Sequence, residues 1–211
     1  APSSRVLTYT LDRHILCSPL WVARTVHNNN PWAGECNHFR RSARRVSAIV
    51  CLYSLLVLAF DAQVFPILLN RLGGTPFQQG LLLFSLFFMF PFASAASGLV
   101  SDRIGKRAVL SGASVFLALP FALSAALPGL GARTLSVFLF GIGMGAVESQ
   151  ASAYLADLYP GRERSVLNLS QLVFCAGAIG GPLAFAFAYA RRPDLDVSST
   201  LWAVFAWTLP V

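Results

Sequence analysis

Charge is what this sequence has least of. Of its 211 residues, 12% are Asp, Glu, Lys or Arg and 55% are hydrophobic. A soluble domain carries about 25% charge, so a soluble globular enzyme is excluded. Disorder is excluded for the opposite reason, because a mean hydropathy of +0.62 leaves too much apolar surface. Lysine is almost missing, with Lys106 alone beside 15 Arg. The net charge of +7 would suit nucleic acid. The basic residues, however, stand in short clusters between long uncharged runs, the pattern of membrane loops and not of a basic groove. No nucleic-acid partner is expected. Cys17, Cys36, Cys51 and Cys175 form no C-x-x-C pair, which gives no support to a metal or disulfide framework. No phosphate loop, zinc spacing or catalytic triad is present. His14, His27 and His38 all precede residue 46, away from any apolar run, so a membrane-embedded enzyme lacks its cluster. Neither enzyme activity nor a cofactor is expected.

Long uncharged stretches take the place of charge. They lie between Arg45 and Arg71 (interrupted by Asp61), Arg71 and Asp102, Arg107 and Arg133, Arg164 and Arg191, and after Asp196; the stretch from Thr134 to Gly161 holds Glu148 and Asp157. A membrane helix needs about 20 apolar residues. The runs therefore predict helices over about 47–69, 78–100, 108–128, 134–156, 166–189 and 199–211. Barrel alternation is absent, and an open sheet cannot survive in lipid. The predicted fold is all-α, a polytopic helical bundle over 46–211 in contact with the bilayer. Residues 1–45 are polar and Arg-rich. They read as a disordered cytoplasmic tail or, alternatively, as a segment foreign to the natural protein; no amphipathic helix supports a transit peptide. Nine basic residues (Arg40, Arg41, Arg44, Arg45, Arg103, Lys106, Arg107, Arg162, Arg164) fall on one side of the spans and four (Arg71, Arg133, Arg191, Arg192) on the other. The positive-inside rule then places the N-terminus in the cytoplasm, with the plasma (inner) membrane as the expected site.

The second and third runs are joined by Gly98-Leu-Val-Ser-Asp102-Arg103-Ile-Gly105-Lys106-Arg107. This stretch resembles the signature loop of the major facilitator superfamily, G-x-x-x-D-R-x-G-[RK]-[RK], at every defining position and between the same two helices. Gly98 suits close backbone approach, Gly105 a tight turn at positive φ, and Asp102 a cation or a helix start. The resemblance covers about 47–211 and implies a twelve-helix transporter of two six-helix halves, of which this chain is the N-terminal half. It also implies a gating role for the loop, centred on Asp102 and Arg103. The sequence starts at Ala1 and ends at Val211 inside an apolar run, so the expectation is a chain cut in helix six, with its C-terminal half missing.

Two acids, Asp61 and Glu148, lie within the runs. A charge at mid-bilayer is costly, and such residues usually face a cavity and have a role. Low dielectric favours a neutral carboxyl, which makes proton uptake feasible. No Lys or Arg in the runs neutralises either acid, which suggests proton coupling. Gly141, Gly145, Glu148 and Ser152 are spaced 4, 3 and 4 apart and share a small, polar helix face; Ser54 lies on the face of Asp61. The placement of the two acids is similar to the fucose:proton symporter group of the same superfamily. So is Arg164-Ser-Val-Leu-Asn168-Leu-Ser-Gln171. That resemblance implies proton coupling at Asp61 and Glu148 and a solute cavity reached by Gln171, with Asn168 and Ser152 beside it. This chain has Ser152-Ala153 where the group commonly has Asn-Pro, and Phe174 where it can have Asn, so the implied cavity is less polar. Gly177-Ala-Ile-Gly180-Gly181-Pro182 is similar to the antiporter motif of drug exporters but lacks its closing Gly pair; helix packing with a proline kink is the plainer reading. The expected function is proton-coupled symport of a sugar-like or other small polar solute. Drug or metabolite export is the alternative, and a non-transporting membrane protein or truncated product is the rival from another class.

Overall fold

The computed structural model describes residues 33–71, 75–127, 129–192 and 196–208. Two units are distinguished, Ala1–Ser47 and Ala48–Val211. In the first, the described residues are helical backbone from Ala33 onward. Six helices make up the described chain: α1 Ala33–Arg71, α2 Pro76–Ile104, α3 Lys106–Ala126, α4 Leu130–Leu158, α5 Glu163–Arg191 and α6 Val197–Thr208. No strand occurs among the described residues. Five segments are long and apolar enough to cross a membrane: Ser42–Arg71, α2, α3, α4 and α5.

The apolar runs thus identify every helix but understate the length of α1, α2, α4 and α5. The first helix starts at Ala33 and not at 47, inside the segment read as tail. Hydropathy marks only the part matched to hydrocarbon, whereas helical hydrogen bonding continues into polar residues beyond it. The tail reading for 1–32, with His14 and His27, falls outside the described residues, as does the expected break at 209–211.

Local chemistry sets the helix ends. Thr75 caps α2: its hydroxyl accepts from the Gln78 amide N–H (3.3 Å), and the Gln78 Oε1 accepts from the Thr75 N–H (3.0 Å). This reciprocal box satisfies two orphan donors, and Pro76 occupies the first turn, where it costs no hydrogen bond. Gly105 alone separates α2 from α3, at φ +89° and ψ 147°. A substituent there would meet nothing within 4 Å, so glycine is needed for its backbone angles and not for space. Gly105→Ala is expected to lower stability by about 1–3 kcal/mol, the cost of holding an L-residue in that region. Thermal unfolding in detergent reads the loss, and a Tm equal to that of the parent would show that the turn relaxes freely.

The second unit is built around α1, α3 and α4. Phe65, Phe121 and Phe140, one from each, are fully buried with ring centroids 4.7, 4.9 and 5.7 Å apart. Helix α4 packs on both α2 and α3, and α3 packs on α6. Glycines permit the tightest contacts. A Cβ at Gly143 would come within 2.5 Å of the Leu117 nitrogen on α3, and one at Gly141 within 2.7 Å of the Leu86 carbonyl on α2. In lipid, where burial from water does not drive association, such van der Waals contact between backbones supplies the attraction. About half of the most apolar window of α1, α3 and α4 is buried, against 11% for α2 and 17% for α5. The outer faces of those two helices are broadly apolar, with Phe84, Phe88 and Phe92 forming an exposed stripe on α2. An apolar surface of that extent fits a bilayer and not water, and the chain is an integral, multi-pass membrane protein.

Candidate functional site

Asp61 sits on the buried face of α1 with Ser54, both at 0% exposure. The Ser54 hydroxyl donates back to the Val50 carbonyl (2.9 Å). The Asp61 Oδ2 accepts from the Thr208 hydroxyl of α6 (2.9 Å), while Oδ1 is buried with no partner among the described residues. Trp207, next to Thr208, packs edge-on to Tyr53 and tilted against Phe60, with centroids at 6.2 and 6.4 Å. The α1–α6 seam that holds Asp61 is therefore largely aromatic, and the Thr208 hydroxyl is the group in it that hydrogen-bonds the carboxyl. Sequence reasoning missed Thr208. The available signal was its spacing with Leu201 and Val204, one buried stripe on a helical period.

Glu148 is half-buried on α4 and makes no hydrogen bond or ion pair among the described residues, with Asp61 or any other. The face expected to be small and polar serves a different purpose along much of its length. Gly141 and Gly145 press against the α2 backbone at Leu86 and Phe90, so at those positions the small residues make a packing seam and not a cavity wall. The polar cluster on this side of the bundle was not foreseen. Ser97 of α2 shares a hydrogen bond with Ser149 (2.8 Å) and accepts from Gln150 Nε2 (3.1 Å).

On α5, buried Ser170, Gly177, Gly181, Phe185 and Tyr189 form one stripe. Gly177 meets Leu56, and Gly181 meets Phe60, both on α1. The Gly-rich stretch before Pro182 is thus used for helix packing. Asn168, Gln171 and Cys175 lie on the exposed face, with half-buried Ala178 alongside; Ser152 is half-buried on α4. At the end of the bundle, Arg71 places its guanidinium 3.9 Å from the Tyr189 ring centre, joining α1 to α5 by a cation–π contact.

The loop after α2 departs from expectation in two details. A substituent at Gly98 would meet nothing within 4 Å, so no neighbour approaches it closely among the described residues. Asp102 is exposed and neither caps α3 nor pairs with a cation there. A residue inside the last turn of α2 is too far along to serve as the N-cap, and Gly105 takes that position. Arg103 is likewise exposed. The contacts to the bundle come from the other half of the motif. Lys106 Nζ lies 2.5 Å from Asp157 Oδ2, and Arg107 Nε donates to the Tyr154 hydroxyl (2.5 Å) with its guanidinium 5.4 Å from that ring. Both partners are on the last turns of α4. The ion pair is partly exposed, at 30% and 60%, and worth at most about 1 kcal/mol in water. It orients the loop more than it stabilises it.

Comparison with known proteins agrees with this architecture. The family model described as Major Facilitator Superfamily matches residues 47–209. The galactose-proton symporter of Escherichia coli (strain K12) is 27% identical over 169 residues, covering 74% of this chain and 36% of that protein. The multi-drug resistance efflux pump PmrA of Streptococcus pneumoniae is 30% identical over 136 residues, or 61% and 34% of the two chains. A probable plastidic glucose transporter 3 of Arabidopsis thaliana is 29% identical over 113 residues, or 53% and 23%. Matched segments thus span about a third or less of the relatives' length. With the model covering all six helices of the bundle, and the loop between α2 and α3 in place, the chain belongs to the Major Facilitator Superfamily.

Proposed function

We propose that this chain supplies the N-terminal half of a proton-coupled symporter for a sugar-like or other small polar solute. It works as a transporter and not as an enzyme, by two halves rocking about a midplane site. The observation that carries the proposal is Asp61, a carboxyl at 0% exposure inside a membrane-spanning helix, with a single hydroxyl for a partner and no cation among the described residues. Such a group is affordable in a membrane only where it is neutral or serves charge movement. Glu148, on a different helix and without a partner, is the second proton site. Asn168 and Gln171, on the exposed face of α5, offer amide donors and acceptors to hydroxyl groups of the solute, with half-buried Ser152 on α4 as a further candidate. Asp102 and Arg103 are free of the bundle and available to a gating contact, while Lys106 and Arg107 fasten the loop to α4. Gly98 lies two turns before the end of α2, and Gly105 makes the turn into α3. The N-terminus is assigned to the cytoplasm of the plasma (inner) membrane by the basic residues near the spans.

The relatives favour symport through the name galactose-proton symporter, with no particular support for the fucose group. The efflux pump relative keeps the exporter reading as the alternative. The deciding experiment places the full-length protein in lipid vesicles with a pH-sensitive dye inside. Addition of D-galactose outside is expected to acidify the lumen. Silence toward D-galactose and D-glucose, together with proton-driven extrusion of a cationic dye, would replace symport by export. Silence toward all three would support a non-transporting protein.

A further inference from the structure

Thr208 has one hydroxyl hydrogen and two acceptors within reach. Its Oγ1 lies 2.9 Å from Asp61 Oδ2 and 2.8 Å from the Val204 carbonyl one turn back in α6. One hydroxyl donates a single hydrogen bond but can accept others, so only one of these contacts is a donation by Thr208 at any moment. The state of Asp61 decides which. If Asp61 is neutral with its hydrogen on Oδ2, that hydrogen is donated to Thr208 Oγ1, and the Thr208 hydrogen goes to Val204; every hydrogen is used. If Asp61 is ionised, Oδ2 has no hydrogen to give, and Thr208 must turn its own toward the carboxylate. Val204 then loses the side-chain bond, while the buried Oδ1 has no partner among the described residues in either state.

Among the described residues, no other side chain hydrogen-bonds Asp61. Along this part of α1, Trp207 of α6 and Gly181 of α5 meet Phe60, Gly177 of α5 meets Leu56, and Phe121 and Phe140 of α3 and α4 meet Phe65, one turn on from Asp61. Titratable residues on these elements include Cys51, Tyr53 and Arg71 on α1, Arg107 on α3, Glu148 and Tyr154 on α4, and Cys175 and Tyr189 on α5. None forms a hydrogen bond or ion pair with Asp61, and Arg71 is engaged over the Tyr189 ring.

We propose that Thr208 is the positioning residue of Asp61, its one hydroxyl hydrogen turning from the Val204 carbonyl to Asp61 Oδ2 when the carboxyl releases its proton. The only covalent change is loss of the Asp61 O–H bond, with the proton passing to water in the transport pathway. Thr208 keeps its hydrogen and rotates about Cβ–Oγ1. This assignment rests on the reading of Asp61 as a proton-coupling site. It ties the docking of α6 on α1 to the presence of the proton, because the neutral pair has a hydrogen for both contacts of Thr208 and the ionised pair has one for only one of them.

The test uses the full-length protein with Thr208→Val, which keeps the shape and removes the hydroxyl, and Thr208→Ser, which restores it. Infrared difference spectra across a pH titration give the carboxylic C=O band of Asp61, identified by its loss in Asp61→Asn. Thr208→Val is expected to move that band to higher wavenumber, as the neutral O–H loses its acceptor. It is also expected to shift the pH profile of D-galactose-evoked proton uptake about one unit toward alkaline pH. The ionised form loses a charge-assisted bond roughly twice as strong as the neutral one. Thr208→Ser should return both readouts to those of the parent. A band and a profile unmoved by Thr208→Val would overturn the assignment. The coupling reading fails separately: Asp61→Asn would then keep full sugar-evoked proton uptake while Thr208→Val still moved the band.

Discussion

Glu148→Gln in the full-length protein is expected to abolish proton-driven accumulation of solute while leaving counterflow intact. The amide keeps the size and most of the hydrogen-bonding capacity of the carboxyl but cannot exchange a proton. Moving one charge through 100 mV supplies about 2.3 kcal/mol, enough for roughly 50-fold accumulation per proton carried, at 1.4 kcal/mol per factor of ten. Without that coupling the internal and external concentrations equalise, so the ratio falls from about 50 to one. Counterflow exchanges loaded carriers with no net proton movement, and it distinguishes an uncoupled transporter from a misfolded one. Glu148 is half-buried and unpartnered among the described residues, so the substitution strands no buried partner. Accumulation equal to that of the parent would remove Glu148 from the coupling role and return it to a solvated position on α4. Loss of counterflow as well would mean that the side chain is needed for the conformational cycle itself.

The second large effect concerns the bundle. Gly145→Val is expected to destabilise the protein by about 3 kcal/mol or more, the upper range for overpacking. The first added carbon would already collide with the Phe90 carbonyl oxygen and stand 3.0 Å from the Ser94 nitrogen. Both are backbone atoms of α2, so no side-chain rotation relieves the clash; α2 has to move away from α4. That displacement also pulls Ser97 from Ser149 and Gln150, whose Oε1 is already buried without a partner. Gly112→Ala is the control, because a methyl there meets nothing within 4 Å. Alanine is a better helix former than glycine by about 1 kcal/mol. Thermal unfolding in detergent should therefore show a markedly lower Tm for Gly145→Val and an unchanged or raised one for Gly112→Ala. Equal melting of the two variants would show that the α2–α4 seam is looser than the backbone positions indicate.

Both substitutions also separate two meanings of one helix face. Gly141, Gly145, Glu148 and Ser152 share a side of α4 by spacing alone, and a small, polar side is what a solute cavity or a tight helix contact requires. Periodicity cannot tell these apart, since it records which residues are neighbours and not what stands opposite them. The glycines prove to face α2 backbone. Asn168 and Gln171 belong to the same category: their common face on α5 was legible, and their exposure depended on where α1 packs.

The sequence by itself determined the class, the number of helices and the family resemblance. These follow from one-dimensional facts: the length of an uncharged run against the thickness of a bilayer, and the order of residues in a ten-residue loop. It also determined that Gly105 would be a turn, because few other residues adopt positive φ. What each polar group meets was settled by packing. Thr208 lies 147 positions from Asp61 in the chain, and Asp157 lies 51 from Lys106. Hydrogen bonds and ion pairs are short-range interactions between atoms, and no local pattern encodes a partner brought alongside by the packing of other helices. For the same reason the loop's Asp102 and Arg103 stay exposed while Lys106 and Arg107 find α4: the turn at Gly105 starts α3 beside the end of α4, and only the residues that follow it are within reach of Tyr154 and Asp157.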